Sequence, residues 1–142
     1  MDLPAILDLQ YLAYQSEAKL LDDYSIPPLK QTLSELEEEF DKGIFLKAVN
    51  DEDCIIGSVR AYSQDGTLYI GKLIVHPDRQ GQGIGTKLLT AMEQAAPHKT
   101  YELFTSSKSA RNIQLYQRLG YKIFAEKAVT ELLRLTYLQK IV

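Results

Sequence analysis

The sequence predicts an α+β fold in which a mixed, mostly antiparallel sheet is flanked by helices. Two turn-rich segments, Asn50-Asp51-Glu52-Asp53 and Gln64-Asp65-Gly66, cut residues 44–75 into three strand-like runs that can pair as a meander. The glycine-rich residues 80–85 then join the third run to a helix-like run and a further strand, the order of a parallel β-helix-β crossover. A last helix-like run and two strand-like runs close the chain.

Taken in order, Leu3, Leu7, Tyr11, Tyr14, Ala18 and Leu21 recur at helical spacing, with Asp2 as an N-cap and Pro4 in the first turn. Leu29, Leu33, Leu36 and Phe40 form a second helical stripe, entered through Ile26-Pro27-Pro28 and ended near Gly43. Strands are expected at 44–49, 54–62 and 67–75, and Gly71 inside the third is read as a bulge or a close backbone approach. Ile84, Leu88, Ala91 and Ala95 mark the crossover helix, which stops before Pro97; a strand at 101–105 follows. A short helix over about 110–119 ends at Gly120, and strands at about 121–126 and 132–138 form a hairpin. No repeat or linker interrupts residues 1–142, which read as a single domain.

The 142 residues are 45% hydrophobic and 25% charged, ordinary for a globular domain with a core. A net charge of −3 gives no general attraction to nucleic acid or to an anionic membrane, so neither is expected as a partner. Cys54 is the single cysteine, which rules out an internal disulfide; it is expected on a central strand, buried and inert. With no Cys/His cluster, no metal is expected. No apolar stretch approaches the roughly 20 residues that span a bilayer, and Met1-Asp2-Leu3-Pro4 lacks the basic start of a signal peptide, so a cytoplasmic location is expected.

The segment Gln80-Gly81-Gln82-Gly83-Ile84-Gly85 lies between a strand and a helix, where backbone N–H groups meet the positive end of a helix dipole and favour a phosphate. A dinucleotide loop starting at Gly81 needs a third glycine where Thr86 stands. A triphosphate loop fails as well, since Gly85 is followed by Thr86 and Lys87 in reverse order and Gln80 occupies the first glycine position. What the spacing satisfies is Q/R-x-x-G-x-G/A, through Gln80, Gly83 and Gly85, behind Leu73-Ile74-Val75-His76-Pro77.

This pattern resembles the pyrophosphate-binding signature of the GNAT superfamily of acetyl-CoA-dependent N-acetyltransferases. The later run from Ser109 to Tyr121 is similar to that family's N-x-x-A-x-x-x-Y-x-x-x-G-F/Y: Tyr116, Gly120 and Tyr121 match, while Ser109 replaces the asparagine and Asn112 the alanine. The order of elements looks like the GNAT fold over nearly the whole chain, except that the family's first strand is missing. An uncovered sheet edge of that kind is a reason to expect a homodimer.

The resemblance implies acetyl-CoA as co-substrate. Amides of Gly81, Gln82, Gly83, Ile84, Gly85 and Thr86, together with Gln80, would hold its pyrophosphate. The edge of Leu73, Ile74 and Val75 would pair with its pantetheine amides, and Ser109 and Asn112 would lie along it. Tyr116 would protonate the departing thiolate, a transfer between groups of similar pKa. A backbone N–H of residues 73–75 would stabilise the oxyanion. For the base, Glu102 is a candidate, equally readable as a solvated strand-edge residue; the family's strand glutamate aligns with Phe104. His76 reads as a strand-end residue. Asp22, Asp23, Tyr24 and the glutamates after Ser34 would flank a cationic acceptor, and Arg79, Lys87, Lys108 and Arg111 lie where they could meet phosphates. The expected activity is acetyl transfer to a primary amine, of a small molecule or a peptide, by direct attack in a ternary complex. The alternative is a non-catalytic acyl-CoA-binding sensor of the same fold.

Overall fold

The computed structural model describes residues 2–142. Its helices are α1 (Leu3–Ala13), α2 (Gln15–Leu21), α3 (Pro27–Lys30), α4 (Leu33–Lys42), α5 (Ile84–Ala95) and α6 (Ala110–Arg118). Its strands are β1 (Ile44–Val49), β2 (Ile55–Gln64), β3 (Thr67–Val75), β4 (Thr100–Ser106), β5 (Lys122–Ala128) and β6 (Arg134–Ile141). They form one sheet in the order β1-β2-β3-β4-β6-β5, antiparallel throughout except between β3 and β4. The α+β expectation holds, with its meander, its crossover through α5 and its closing hairpin. Met1, at the start of the segment read as too short for a first strand, lies outside the described residues; α1 begins at Leu3.

The order of the last two strands was not legible from the chain. Burial explains it: β6 buries Thr136 and Leu138 and takes the inner place beside β4, whereas no residue of β5 is buried and it forms the edge. At the other end, Asp65 (φ 52°) and Gly66 (φ 84°) both adopt the left-handed conformation, as a tight hairpin turn between β2 and β3 requires.

Strand alternation sends side chains to two different layers. Val59 and Ala61 of β2 join Leu88, Leu89 and Met92 of α5 in the main core, which Leu103, Tyr116, Tyr121 and Leu138 extend. On the other face, Phe45 joins Ile6 and Leu7 of α1 and Leu36 of α4. Gly57 of β2 admits α5 closely, since a Cβ there would come within 2.9 Å of Leu88 Cδ1.

Two helices expected from their stripes are each broken. Tyr14 (φ −84°, ψ 0°) ends α1 and opens α2, so residues 3–21 are not one helix. Gln31 is extended between α3 and α4, and Thr32 restarts the helix with a capping box: the Glu35 N–H donates to Thr32 Oγ1 at 3.2 Å, and the Thr32 N–H donates to Glu35 Oε1 at 3.0 Å. Cys54 also departs from expectation, being exposed just before β2. The Asn50 side chain accepts the N–H of Glu52 (3.0 Å) and of Cys54 (2.9 Å), holding the turn so that pairing resumes at Ile55.

The bulge expected at Gly71 sits one residue later. Against β2, Ser58 opposes Ile74 and Arg60 opposes Gly71, leaving Lys72 and Leu73 opposite Val59 alone. Lys72 carries the strain of a left-handed non-glycine residue (φ 45°), and its ammonium is tied to Glu39 Oε1 at 3.3 Å. Glu39 also receives buried Arg60 Nη1 at 2.5 Å, and Arg60 further donates to Gln10 and Gln31 while stacking over Phe45. Beyond this point β3 and β4 part. Their parallel pairing is limited to Thr67 with Thr100, Leu68 with Tyr101 and Tyr69 with Glu102.

Glu39→Ala removes the carboxylate from the buried Arg60 guanidinium and from Lys72 at the bulge. It should lower unfolding stability by about 2 kcal/mol, read as a shift in urea midpoint with unchanged slope.

Candidate functional site

Where β3 and β4 separate, a groove of about 1490 Å³ runs from the glycine loop, between the two strands, to the face covered by α2. Residues 70–75 lie on its wall beside residues 102–106. Each strand is hydrogen-bonded on its far side, β3 to β2 and β4 to β6, but above Tyr69 and Glu102 their facing edges have no mutual pairing. Two unpaired strand edges facing one groove can hold an extended amide-bearing chain by strand-like hydrogen bonds. Leu73, Ile74 and Val75 are on that edge, as the sequence suggested.

The glycine loop forms one end. Gly81 (φ 79°) and Gly83 (φ 81°) are both left-handed, a conformation costing other residues about 1 kcal/mol or more. Gly83 caps α5 with no side-chain hydrogen bond, and the first α5 amide bonded back to it is Lys87 N–H, at 3.0 Å from the Gly83 carbonyl. The amides of Ile84, Gly85 and Thr86 are thus left as donors at the positive helix end. Gln80, Gly81, Gly83, Ile84, Gly85 and Thr86 all line the groove; Gln82 is exposed beside it. Arg111 of α6 reaches across, donating to Gln80 Oε1 at 3.0 Å, and with Arg79 places guanidinium charge at this end. Lys87 and Lys108 lie off the groove. A donor set of backbone amides backed by Arg111 fits a pyrophosphate. His76 acts locally, its Nδ1 accepting the Asp78 N–H at 3.1 Å and capping the short helical turn at Pro77–Arg79.

Tyr116 occupies the middle of the groove, on α6. Its position is fixed by how that helix ends. Gly120 (φ 97°) turns the chain so that its own N–H donates to the Gln117 carbonyl at 3.1 Å and the Tyr121 N–H to the Tyr116 carbonyl at 3.0 Å, the paired bonds of a Schellman motif. The motif also brings the Tyr116 and Tyr121 rings together, with centroids 6.2 Å apart. Tyr121 is itself anchored, donating to Glu93 Oε2 at 3.0 Å, while Lys140 donates to Glu93 Oε1 at 2.8 Å. The Tyr116 hydroxyl makes no hydrogen bond among the described residues, although its side chain is buried and lines the groove. Burial, and then the charge of Glu17, push its pKa well above the usual tyrosine value, so it keeps its proton across the physiological range. Ser109 and Asn112 stand on the same wall. Ser109 heads α6 without capping it, and Asn112 donates to Thr105 Oγ1 at 3.3 Å.

Opposite Tyr116, sequence reasoning missed two residues. Tyr14 and Glu17, one helical turn apart across the α1–α2 break, both line the groove. Burial, then Glu17, then Tyr116 raise the Tyr14 pKa, while Arg60 lowers it. Glu17 is half-buried, forms no ion pair or hydrogen bond among the described residues, and has its pKa raised by burial. The signal that could have found them was spacing: Tyr14, Glu17, Ala18 and Leu21 share one face, so a carboxylate sits on an otherwise inward stripe. Asp22, Asp23 and Tyr24, expected to flank an acceptor, lie off the groove. Asp22 (φ 52°) turns the chain away, and Asp23 binds the Ser25 N–H and hydroxyl locally. Of the glutamates after Ser34, Glu39 alone reaches the groove. Glu102 lines it at the apex, half-buried, where the last β3–β4 pair forms.

Residues 4–121 match the model of the acetyltransferase (GNAT) family. Among solved structures, the chain is similar to the ribosomal-protein-S18-alanine N-acetyltransferase from Escherichia coli, with a TM-score of 0.79 and 15% identity over 99% of this chain and 88% of that one. It is also similar to PaiA N-acetyltransferase from Thermoplasma acidophilum, solved with coenzyme A (TM-score 0.80, 15% identity, 99% and 93% covered). An aminoglycoside 6'-N-acetyltransferase complexed with coenzyme A aligns with a TM-score of 0.76 and 20% identity, over 98% and 89% of the two chains. At these identities the likeness establishes the fold.

Two outcomes follow from the site's construction. Gly120→Ala forces a left-handed alanine and should cost about 1–2 kcal/mol in a urea titration. Glu17→Gln should raise the melting temperature at pH 7, because the folded state disfavours the ionised carboxylate. The gain should vanish below pH ~4, where the wild-type group is protonated in folded and unfolded chains alike.

Proposed function

Since the chain belongs to the GNAT acetyltransferase family, we propose that it binds acetyl-CoA in the β3–β4 groove and transfers the acetyl group to a primary amine by direct attack in a ternary complex. The observation that carries this reading is the coincidence of three things along one groove: free amides at the α5 N-terminus, two unpaired strand edges, and the Tyr116 phenol between them and α2. In this reading residues 81–86 and Arg111 hold the pyrophosphate, and the edge of Leu73, Ile74 and Val75 receives the pantetheine amides. Ser109 and Asn112 line the same passage from α6.

With the thioester held near Tyr116, a neutral amine adds to the acetyl carbonyl, and a backbone N–H of residues 73–75 donates to the developing oxyanion. Collapse of the adduct breaks the carbon–sulfur bond. Tyr116, protonated because burial keeps it so, donates its proton to the departing thiolate and recovers one from the nitrogen. Glu102, at the apex of the groove, adds negative charge that favours a cationic acceptor. A sensor that binds acyl-CoA without turnover uses the same cradle, but leaves the unbonded Tyr116 hydroxyl without a role.

Coenzyme A should raise the melting temperature by several degrees at millimolar concentration, whereas ATP and NAD at equal concentration should not. Gly83→Val, left-handed at a residue whose side chain would enter the cradle, should weaken acetyl-CoA binding at least tenfold in calorimetry. Tyr116→Phe should lower amine-dependent thiol release by about 10²-fold with acetyl-CoA affinity unchanged. Equal turnover in Tyr116→Phe removes the acid role; thiol release that no amine accelerates in the wild type favours the sensor.

A further inference from the structure

Glu17 is a carboxylate brought to the middle of the groove without a partner. Surface glutamates are solvated, and buried ones are paired; Glu17 is neither, although it is half-buried on the face of α2 that carries Ala18 and Leu21 into the core. Of the cations that line the groove with it, Arg60 gives its Nη atoms to Glu39, Gln31 and Gln10 and keeps a buried, unbonded Nε, and Lys72 is held by Glu39. Its charge acts on two phenols, that of Tyr14 one helical turn before it and that of Tyr116 across the groove. Glu17 forms no ion pair among the described residues, and a cation bound in the groove that it lines would supply one.

The groove beyond it is aromatic. Tyr62 and Tyr69 stack at 5.2 Å, and Phe104 and Tyr137 lie 5.3 Å apart; all four line the same face, with Tyr62 and Phe104 about half exposed. Stacked rings beside a carboxylate suit a cation carried on an apolar body.

Resting on the acetyl-transfer reading above, we propose that Glu17 binds the acceptor's ammonium group and takes its proton, and that the acceptor is a primary amine borne on an aromatic or aliphatic body. The ammonium loses its first proton to the Glu17 carboxylate, which passes it to water. The freed lone pair forms the nitrogen–carbon bond to the acetyl carbonyl, the carbon–sulfur bond breaks, and the second nitrogen proton replaces the one Tyr116 gives to the thiolate. The products are an amide, a thiol and one proton in solution. The charge of Glu17 thereby serves both to select a cation and to activate it.

The test uses phenethylamine as acceptor and ethanolamine as its polar counterpart, on the intact protein. Coenzyme A binding is measured first by calorimetry; its absence fails the acetyl-transfer reading and this proposal with it. In the coenzyme A complex, phenethylamine should bind at least tenfold tighter than ethanolamine. Glu17→Gln should lose that binding by tenfold or more, lower kcat/KM with acetyl-CoA by about 10²-fold, and keep coenzyme A affinity. The acid limb of the wild-type kcat/KM profile, set above the ordinary carboxylate range, should disappear in Glu17→Gln and return in Glu17→Asp. Coenzyme A binding with no preference for phenethylamine, or Glu17→Gln within threefold of wild type with the same acid limb, overturns the proposal. Because Gln keeps the shape of Glu, retained coenzyme A affinity separates a lost carboxylate from a lost fold.

Discussion

The parting of β3 and β4 is the constraint on which the rest of the molecule depends. Three residue pairs join the strands, and beyond them a sheet that would otherwise be continuous presents two bare edges. Unpaired backbone inside a protein is costly, so the gap has to be held open. On β3 the bulge at Lys72 and Leu73 changes the register against β2, and the Glu39 carboxylate holds both Lys72 and the buried Arg60 beneath it. The glycine loop follows directly on the freed strand, so the positive end of α5 opens at the mouth of the gap. One deformation thus leaves both two unpaired strand edges and a helix end with free amides on the same groove.

Across the groove, the chemistry is set by low polarity. Burial holds the Tyr116 phenol protonated, and the same burial disfavours the ionised form of Glu17, so each is poised by its surroundings rather than by a tight ion pair. The Schellman turn at Gly120 matters for the same reason: it fixes Tyr116 through backbone bonds and through Tyr121, leaving the hydroxyl itself free. Rigid elements thus hold the Tyr116 phenol and the Glu17 carboxylate, and neither makes a side-chain hydrogen bond among the described residues.

Local signals were the legible part of the sequence. The turn at Asp65-Gly66, the Gly120 stop and the loop of residues 80–85 each follow from what one or two residues demand of the backbone, and the structure has all three. Leu73, Ile74, Val75 and Tyr116 were expected at the site from the resemblance of their motifs to the GNAT pattern, and all four line the groove. What was not legible depends on tertiary contact. Nothing local says that β6 lies inside β5, or that the bulge takes Lys72 rather than the glycine beside it. The break at Tyr14 has the largest consequence, because Tyr14 and Glu17 line the groove there, a placement to which only the face they share with Ala18 and Leu21 pointed. Asp22 and Asp23 were expected on the acceptor side because the loop between the first two helices lines that pocket in the GNAT family, whereas the carboxylates on the groove are those of Glu17, Glu39 and Glu102.

Hydrogen–deuterium exchange with and without coenzyme A tests the central claim most directly, since the claim concerns particular backbone amides. Binding should slow exchange at Leu73, Ile74 and Val75 and across residues 81–86, and leave the β5 edge unchanged. Slowed exchange confined to other segments, or a bound complex in which these amides exchange as fast as before, would contradict the account.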